Sequence, residues 1–415
     1  MKGIHGMKLF MTLVIMLVLL PTTVEAANSK AGFIRSGNVW IYMDGEETQI
    51  TDSGKVFETL KWSHDGKWLL YQEQTTDVHH SSQEQNELWA YEVETGERKK
   101  VFYDGYSPKW SPNKPIIAYQ DKGILDISDL NQFYNIASGV DSYSWLPDGS
   151  GFLLSSAGNL KPDGWSSATL YTKKLNDNYG DTNLFGGVKE LFTLPKEVGF
   201  DGKSILAVNA SHFSYSPTNK WISFIVSPTA SWSMDSNMLC VLSKDGKKFE
   251  VLDEVIFGVG EPKWAPSRDI IAYIAGGGRI VFGFKNKDLK LQEMPVSNTY
   301  TPPNFMELDF DWISNNAIVT SRVEEKEWSN DIRKQPLPAL YAIEVKKSKQ
   351  TQITHPPKGY GDYSPQYVKS IDKLIWYRGT SLTDPEKKLW IANTDGSNAK
   401  EWMKDVDSIE FYSGK

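Results

Sequence analysis

Trp110-Ser111-Pro112-Asn113-Lys114, followed by Ile116-Ile117-Ala118-Tyr119, is the stretch whose reading decides the fold. An aromatic residue closes one strand. A Ser-Pro-Asn turn follows, built from residues that tolerate the dihedrals of a tight reversal. A β-branched and aromatic strand then returns. The same order recurs along the chain. Trp62-Ser63-His64-Asp65-Gly66 leads into Trp68-Leu69-Leu70-Tyr71, and Trp145-Leu146-Pro147-Asp148-Gly149 into Phe152-Leu153-Leu154. Tyr215-Ser216-Pro217, Trp264-Ala265-Pro266, Trp312-Ile313-Ser314 and, in degenerate form, Tyr367 to Lys373 open four more copies.

After each returning strand comes another alternating one, such as Leu88-Trp89-Ala90-Tyr91. A polar turn such as Glu94-Thr95-Gly96-Glu97 then leads to a fourth. Four strands per unit, repeated at tens of residues, is propeller periodicity. The anchors at 62, 110, 145, 215, 264, 312 and 367 give seven units. Residues 31–52 form an eighth that lacks its first strand. Val406-Asp407-Ser408-Ile409-Glu410-Phe411 parallels Val140 to Trp145 and supplies it. The expectation is an all-β, single β-propeller of four-stranded antiparallel blades. Eight blades are favoured over seven, and the C-terminal strand closes the ring against the first blade. Closure removes the open sheet edges that invite aggregation.

The aromatic-Ser-Pro-Asp-Gly-Lys pattern followed by an Ile-Ala-Tyr strand resembles the repeat of TolB-like (PD40, WD40-like) propellers, over nearly all of residues 27–415. That resemblance implies the propeller fold. It does not imply one activity, because the family spans translocation-complex subunits, peptidase accessory domains and lyases. The repeats begin soon after residue 26, without the α/β domain that precedes the propeller in the translocation protein or the hydrolase domain of the peptidase relatives.

Residues 1–26 have the layout of a secretory signal. Lys2 and Lys8 precede the apolar run Leu9 to Leu20, Pro21 breaks it, and Val24-Glu25-Ala26 offers a small-residue cleavage site. The domain expectation is a signal peptide at 1–26 and a propeller at 27–415. The mature chain is then secreted or extracytoplasmic, on the periplasmic or cell-wall side, with no integral membrane span. An uncleaved anchor is the alternative. The single cysteine, Cys240, has no partner for an internal disulfide and reads as a small buried hydrophobe. The net charge is −7, with no long basic stretch, so nucleic acid is not an expected partner.

With strands A to D counted from the centre outward, A–B and C–D turns share one face, and B–C and D–A loops share the other. The A–B turns are short. The long segments, among them 75–86, 157–168, 228–237, 323–338, 195–211 and 295–307, fall on the second face, and insertions gathered on one face mark a binding side. Aromatic and His residues there are the candidate contacts: Trp165, Trp232, Trp328, His79, His80, Tyr300 and Tyr360. The competing reading is that each Trp packs its own loop.

The residue before each anchor alternates away from the core, toward the channel. Lys61, Lys109, Lys263 and Asp311 are the charged candidates for its lining. They read either as a mildly basic mouth for an anion or as groups paired within the channel. No nucleophile elbow, zinc motif or phosphate loop occurs. No catalytic residue, metal ligand or cofactor is therefore assigned. The function expected is a monomeric, non-catalytic binding propeller for a protein or cell-envelope component. The alternatives are a lyase- or glycosidase-like enzyme with its site at the channel mouth, and a structural subunit of an envelope complex.

Overall fold

The computed structural model describes residues 29–76, 84–229, 231–294 and 296–412. The expected signal segment at 1–26 and His79-His80 lie outside the described residues. Eight four-stranded antiparallel sheets are arranged as a β-propeller. Blade 5 shows the plan: Asn209–Tyr215 innermost, then Trp221–Ser227, Asn237–Ser243 and Phe249–Val255 outermost. Its two central strands read Trp-Ile-Ser-Phe-Ile-Val-Ser and Asn-Met-Leu-Cys-Val-Leu-Ser and are almost wholly buried. They have a neighbouring blade on each face, so both faces are apolar. Cys240 is buried among them, as expected of a small hydrophobe.

Blade 1 is assembled from both ends of the chain. Ser408–Phe411 is its innermost strand, paired antiparallel with Lys30–Arg35 in the register Ala31 to Phe411 and Ile34 to Ser408. Asn38–Met43 and Glu46–Gln49 complete it.

The repeated turn explains its own sequence. In blade 2 the buried Ser63 hydroxyl donates to Asp65 (2.7 Å) and accepts the Trp68 amide (2.9 Å), while Asp65 also takes the Lys67 amide. Gly66 sits at φ +68°, where a side chain would also strike the Tyr412 ring. Neighbouring turns are tied to one another as well. Asn113 donates to the Asp148 carbonyl (2.7 Å), Thr218 to Asp269 (2.5 Å) and Asn315 to the Ser267 hydroxyl (2.6 Å).

The anchor tryptophans staple blade to blade. The indole N–H of Trp62 donates to the Glu410 carbonyl (3.0 Å), Trp110 to Lys61 (2.9 Å) and Trp145 to Lys109 (3.1 Å). Trp264 donates to Ser214 (3.3 Å) and Trp312 to Lys263 (3.2 Å). Each acceptor is the residue just before the anchor position of the preceding blade. The aromatic is therefore a Trp for its N–H as well as its area. Trp145→Phe keeps most of the ring and removes the donor. It is expected to cost about 1–2 kcal/mol, from one net hydrogen bond and a small void. A lowered urea midpoint with an unchanged m-value would establish this; an unchanged midpoint would refute the staple.

The loop expectations change in three places. Segment 195–211 contains a hairpin of its own, Glu197–Phe200 with Lys203–Leu206, ahead of the blade 5 inner strand. The stretch after residue 295 holds the outer strand of blade 6, Val296–Thr299, so that loop is shorter than expected. On the other face, blade 4 carries a long C–D connection between Lys174 and Val188, which includes the one-turn segment Tyr179–Asp181. Polar composition alone does not separate a short outer strand from a loop, because both are solvated.

Candidate functional site

Two features stand out, one on the long-loop face and one on the innermost strands. On the long-loop face, the B–C connections of blades 5, 6 and 7 form a continuous crest. The blade 5 loop carries the short helical turn Trp232–Met234, which leaves Trp232 73% exposed and Met234 exposed beside it. The blade 6 loop carries the turn Ile280–Phe282, with Val281 and Phe282 exposed. The two are locked together. Arg279 makes a bidentate pair with Asp235 (2.6 and 3.0 Å) and lies over the Phe282 ring, and the Gly278 amide donates to the Asp235 carbonyl (2.8 Å).

Gly277 passes over Glu254 so closely that a Cβ would meet its carboxylate at 2.2 Å, so a side chain there would have to displace the carboxylate, which also accepts the Gly277 amide (3.1 Å). Lys287 is buried below, with its ammonium held by the Gly277 carbonyl (2.8 Å). Burial pushes that ammonium down to about 8, and Glu254 opposes the shift. The blade 7 loop is joined by a bridge between Phe284 and Lys326, by Trp328 stacked on Phe284 (5.6 Å) and by the pair Lys285–Glu327 (2.7 Å). Ile332 is exposed beyond it.

The expected contacts thus have different placements. Trp232 is on the crest. Trp328 is half-buried beneath it, its indole N–H satisfied by Asn330 (2.8 Å). Trp165 lies on blade 4, half-buried in the small hairpin where it pairs with the exposed Leu160. Tyr300 is only 6% exposed, packs in the blade 6–7 core and donates its hydroxyl to the Val345 carbonyl. Tyr360 is exposed in the connection into blade 8. Met234, Val281, Phe282 and Ile332 were not singled out from sequence. The signal for them was weak, because an apolar residue in a loop reads equally as a local anchor.

On the innermost strands, Lys61, Lys109, Lys263 and Asp311 each stand one residue before an anchor. The lysines that reach a partner find it in the next blade. Lys109 donates to the Tyr143 carbonyl (2.7 Å) and lies over that ring, and Lys263 donates to the Phe310 carbonyl (2.7 Å) with Asp311 at 3.5 Å. Asp311 also accepts the Tyr367 amide (2.8 Å). Burial, with Lys61 adding repulsion, pushes the Lys109 ammonium down to about 8. Burial likewise raises the Glu410 carboxyl, and Lys61 opposes that shift.

The position three residues before each anchor is polar in all eight blades and makes a second polar ring, held among the described side chains by Ser107, Ser142, His212, Glu261, Asp309, Ser364 and Ser408. Irregularities in pairing fall at this level in five inner strands, and Ser107, His212 and Ser364 adopt left-handed φ of 51°, 56° and 49°. Positive φ at non-glycine residues is uncommon, and such bulges re-aim side chains. The ring's ionisable members, His212, Glu261 and Asp309, fall on blades 5, 6 and 7. Its sequence signal was present, since all eight positions are polar, but simple alternation does not say where a bulged residue points.

Among the described residues, no group of three or more His, Cys, Asp or Glu side chains is placed to hold a metal ion. No helix of the described residues is long and apolar enough to cross a membrane.

Comparison with known proteins bears on the fold. No family profile and no curated protein matches the chain. Among solved structures, the chain is similar to a eukaryotic initiation factor, at 12% identity over 93% of this chain and 88% of that one, with a TM-score of 0.58. It is also similar to the dihydro-heme d1 dehydrogenase NirN, at 11% identity over 94% and 75% of the two chains, with a TM-score of 0.55. TolB from Acinetobacter baumannii matches at 17% identity over 64% and 61%, with a TM-score of 0.37. At these identities the likeness to the first two is one of fold alone, in keeping with the eight four-stranded blades of this chain.

Proposed function

We propose that the chain is an exported, extracytoplasmic binding propeller that captures a protein partner on the crest formed by its blade 5, 6 and 7 loops. The observation that carries this reading is the crest itself. Trp232, Met234, Val281, Phe282 and Ile332 are exposed on three adjacent blades, on loops tied to one another. Large exposed apolar side chains gathered together mark interaction sites, and a rigid aromatic loses little entropy when covered. Several of the charges around them are already paired, Asp235 with Arg279, Lys285 with Glu327 and Asp331 with Arg333. An apolar centre inside a partly neutralised rim suits a protein surface better than a polyanion. Export rests on the layout of residues 1–26.

The test is photo-crosslinking from positions 234 and 282 in the native envelope fraction, with the captured protein then purified and its affinity measured. Trp232→Ala and Phe282→Ala are each expected to weaken binding by about 30-fold, the scale of a 2 kcal/mol hot spot. Phe185→Ala, on the opposite face and 84% exposed, serves as the control. A partner whose affinity fell with Phe185→Ala and not with the crest variants would overturn the proposal.

A further inference from the structure

Between blades 6, 7 and 8, on the inner strands below the long-loop face, lies a cavity of about 320 Å³. Its walls divide by chemistry. Val259, Leu308 and Leu382 supply apolar surface, and Glu261 and Asp309 supply carboxylates. One ammonium, that of Lys263, also lines it, but this group is engaged by the Phe310 carbonyl and by Asp311. Lys263 is offset by Asp311, which stands outside the lining, so the two lining carboxylates, Glu261 and Asp309, leave the site with a local negative excess.

The carboxylates are incompletely satisfied within the protein. Asp309 accepts the Phe310 amide through one oxygen (2.8 Å). Burial raises its carboxyl above the ordinary range, Lys263 opposes the shift, and Asp311 and Glu261 add repulsion. Glu261 has the His212 imidazole at 3.9 Å, a distance that makes an ion pair only when the ring is protonated. His212 is oriented by the Ser211 hydroxyl (2.9 Å) and packs at a tilt against the Phe257 ring (5.1 Å between centroids). Gly260 borders the cavity, where a Cβ would approach Asp309 to 3.2 Å and Ile274 to 2.8 Å and so narrow the space beside Asp309.

We propose that this cavity binds an amphipathic cation, an ammonium or guanidinium on a short apolar stem, with Glu261 and Asp309 on the charged head and Val259, Leu308 and Leu382 along the stem. Two carboxylates with an apolar wall match such a group in both charge and shape. The volume is at the small end of ligand sites and fits one side-chain-sized group rather than a polymer. A free alkylamine and a Lys or Arg side chain share this chemistry.

The test is calorimetric titration of the protein with agmatine, with acetyl-Gly-Arg-Gly-amide, with glutarate and with n-pentanol. The two cations are expected to bind, more weakly at high salt, and glutarate and pentanol are not. Glu261→Gln and Asp309→Asn, both near-isosteric, are each expected to weaken cation binding by about tenfold or more. Tighter binding of the peptide than of agmatine identifies a peptide-borne ligand, and the reverse order identifies a free amine. Absence of cation binding, preference for glutarate, or undiminished binding in the variants would overturn the proposal. Glu261 is half-exposed, so Glu261→Gln decides the matter if Asp309→Asn folds poorly. Because the probes are small molecules, failure here leaves the crest reading untouched.

Discussion

Removal of residues 406–412 is expected to cost most of the stability of the whole ring, not of one blade. Those residues supply the innermost strand of blade 1, and their loss leaves Lys30–Arg35 as an unpaired edge facing the channel. The ladder from Ala31 to Ile34 goes, as do the bonds from the Asp407 amide to the Ile34 carbonyl (2.9 Å) and from the Tyr412 amide to the Lys30 carbonyl (3.0 Å). The Trp62 indole loses its acceptor on Glu410, and Gly66 loses the ring of Tyr412. Val406 and Phe411 are buried and would leave cavities.

With each net hydrogen bond worth about 1 kcal/mol and each large apolar side chain about 1.5–3 kcal/mol, the loss is roughly 8–10 kcal/mol. A domain has only about 5–15 kcal/mol in total. The exposed edge would also promote association. Urea unfolding and light scattering check this. The truncated chain should unfold at much lower urea and associate, and a peptide of residues 404–415 added in trans should restore part of the midpoint. A truncated chain that remained monomeric with an unchanged midpoint would show that the clasp is dispensable.

The second large effect concerns buried charge. In blade 7 the guanidinium of Arg322 donates to Glu307 (2.7 Å) and Gln350 (2.5 Å) and lies over the Tyr341 ring (4.8 Å); Arg322 and Glu307 are both essentially inaccessible. Blade 8 repeats the arrangement with Asp362, Arg378 and the Trp390 ring at 4.0 Å. In both, the carboxylate stands five residues before the anchor, and the Arg faces it on the next strand.

Arg322→Met is expected to cost about 3–5 kcal/mol, because Glu307 is left as an uncompensated buried charge. Arg322→Met combined with Glu307→Leu should recover most of that loss. The pH dependence has a definite sign. Burial raises the Glu307 carboxyl in the folded protein, and Arg322 opposes the shift. A raised carboxyl means that stability falls as pH rises from the ordinary Glu value through the folded one. Removing Arg322 takes away the opposing effect and enlarges this fall. The single variant should therefore lie closest to the parent in acid and furthest from it at neutral pH. Urea midpoints of the parent, single and double variants across that range are the measurement. A double variant no more stable than the single one would mean that the loss came from packing and not from charge.

Much of this molecule was legible in its residues because the propeller repeats a local rule. An aromatic, a Ser-Pro-Asp/Asn-Gly turn and an alternating strand specify the blade within a short stretch of chain. The likeness of residues 406–411 to 140–145 was enough to place the last strand beside the first. Period-2 alternation also placed Lys61, Lys109, Lys263 and Asp311 on the side of the inner strand away from the anchors.

Local pattern could not reach contacts between loops on different blades, nor residues displaced by a bulge. Trp232, Trp328 and Tyr300 look alike in sequence, aromatics in long polar connections. Yet one projects outward, one stacks on Phe284 and one is buried under Val345. Which of these occurs depends on what the adjacent blade presents, and Asp235 meets Arg279 only after the ring has formed. In the same way, His212 and Asp309 stand where their strands bulge, and a bulge breaks the alternation from which side-chain direction is read, while Glu261 precedes the short inner strand Lys263–Trp264 and falls outside any alternation. The ring and its closure therefore follow from the sequence alone, because they rest on local propensity repeated eight times. The crest and the cation-shaped cavity were decided by tertiary structure, because they are made of side chains that meet only across neighbouring blades.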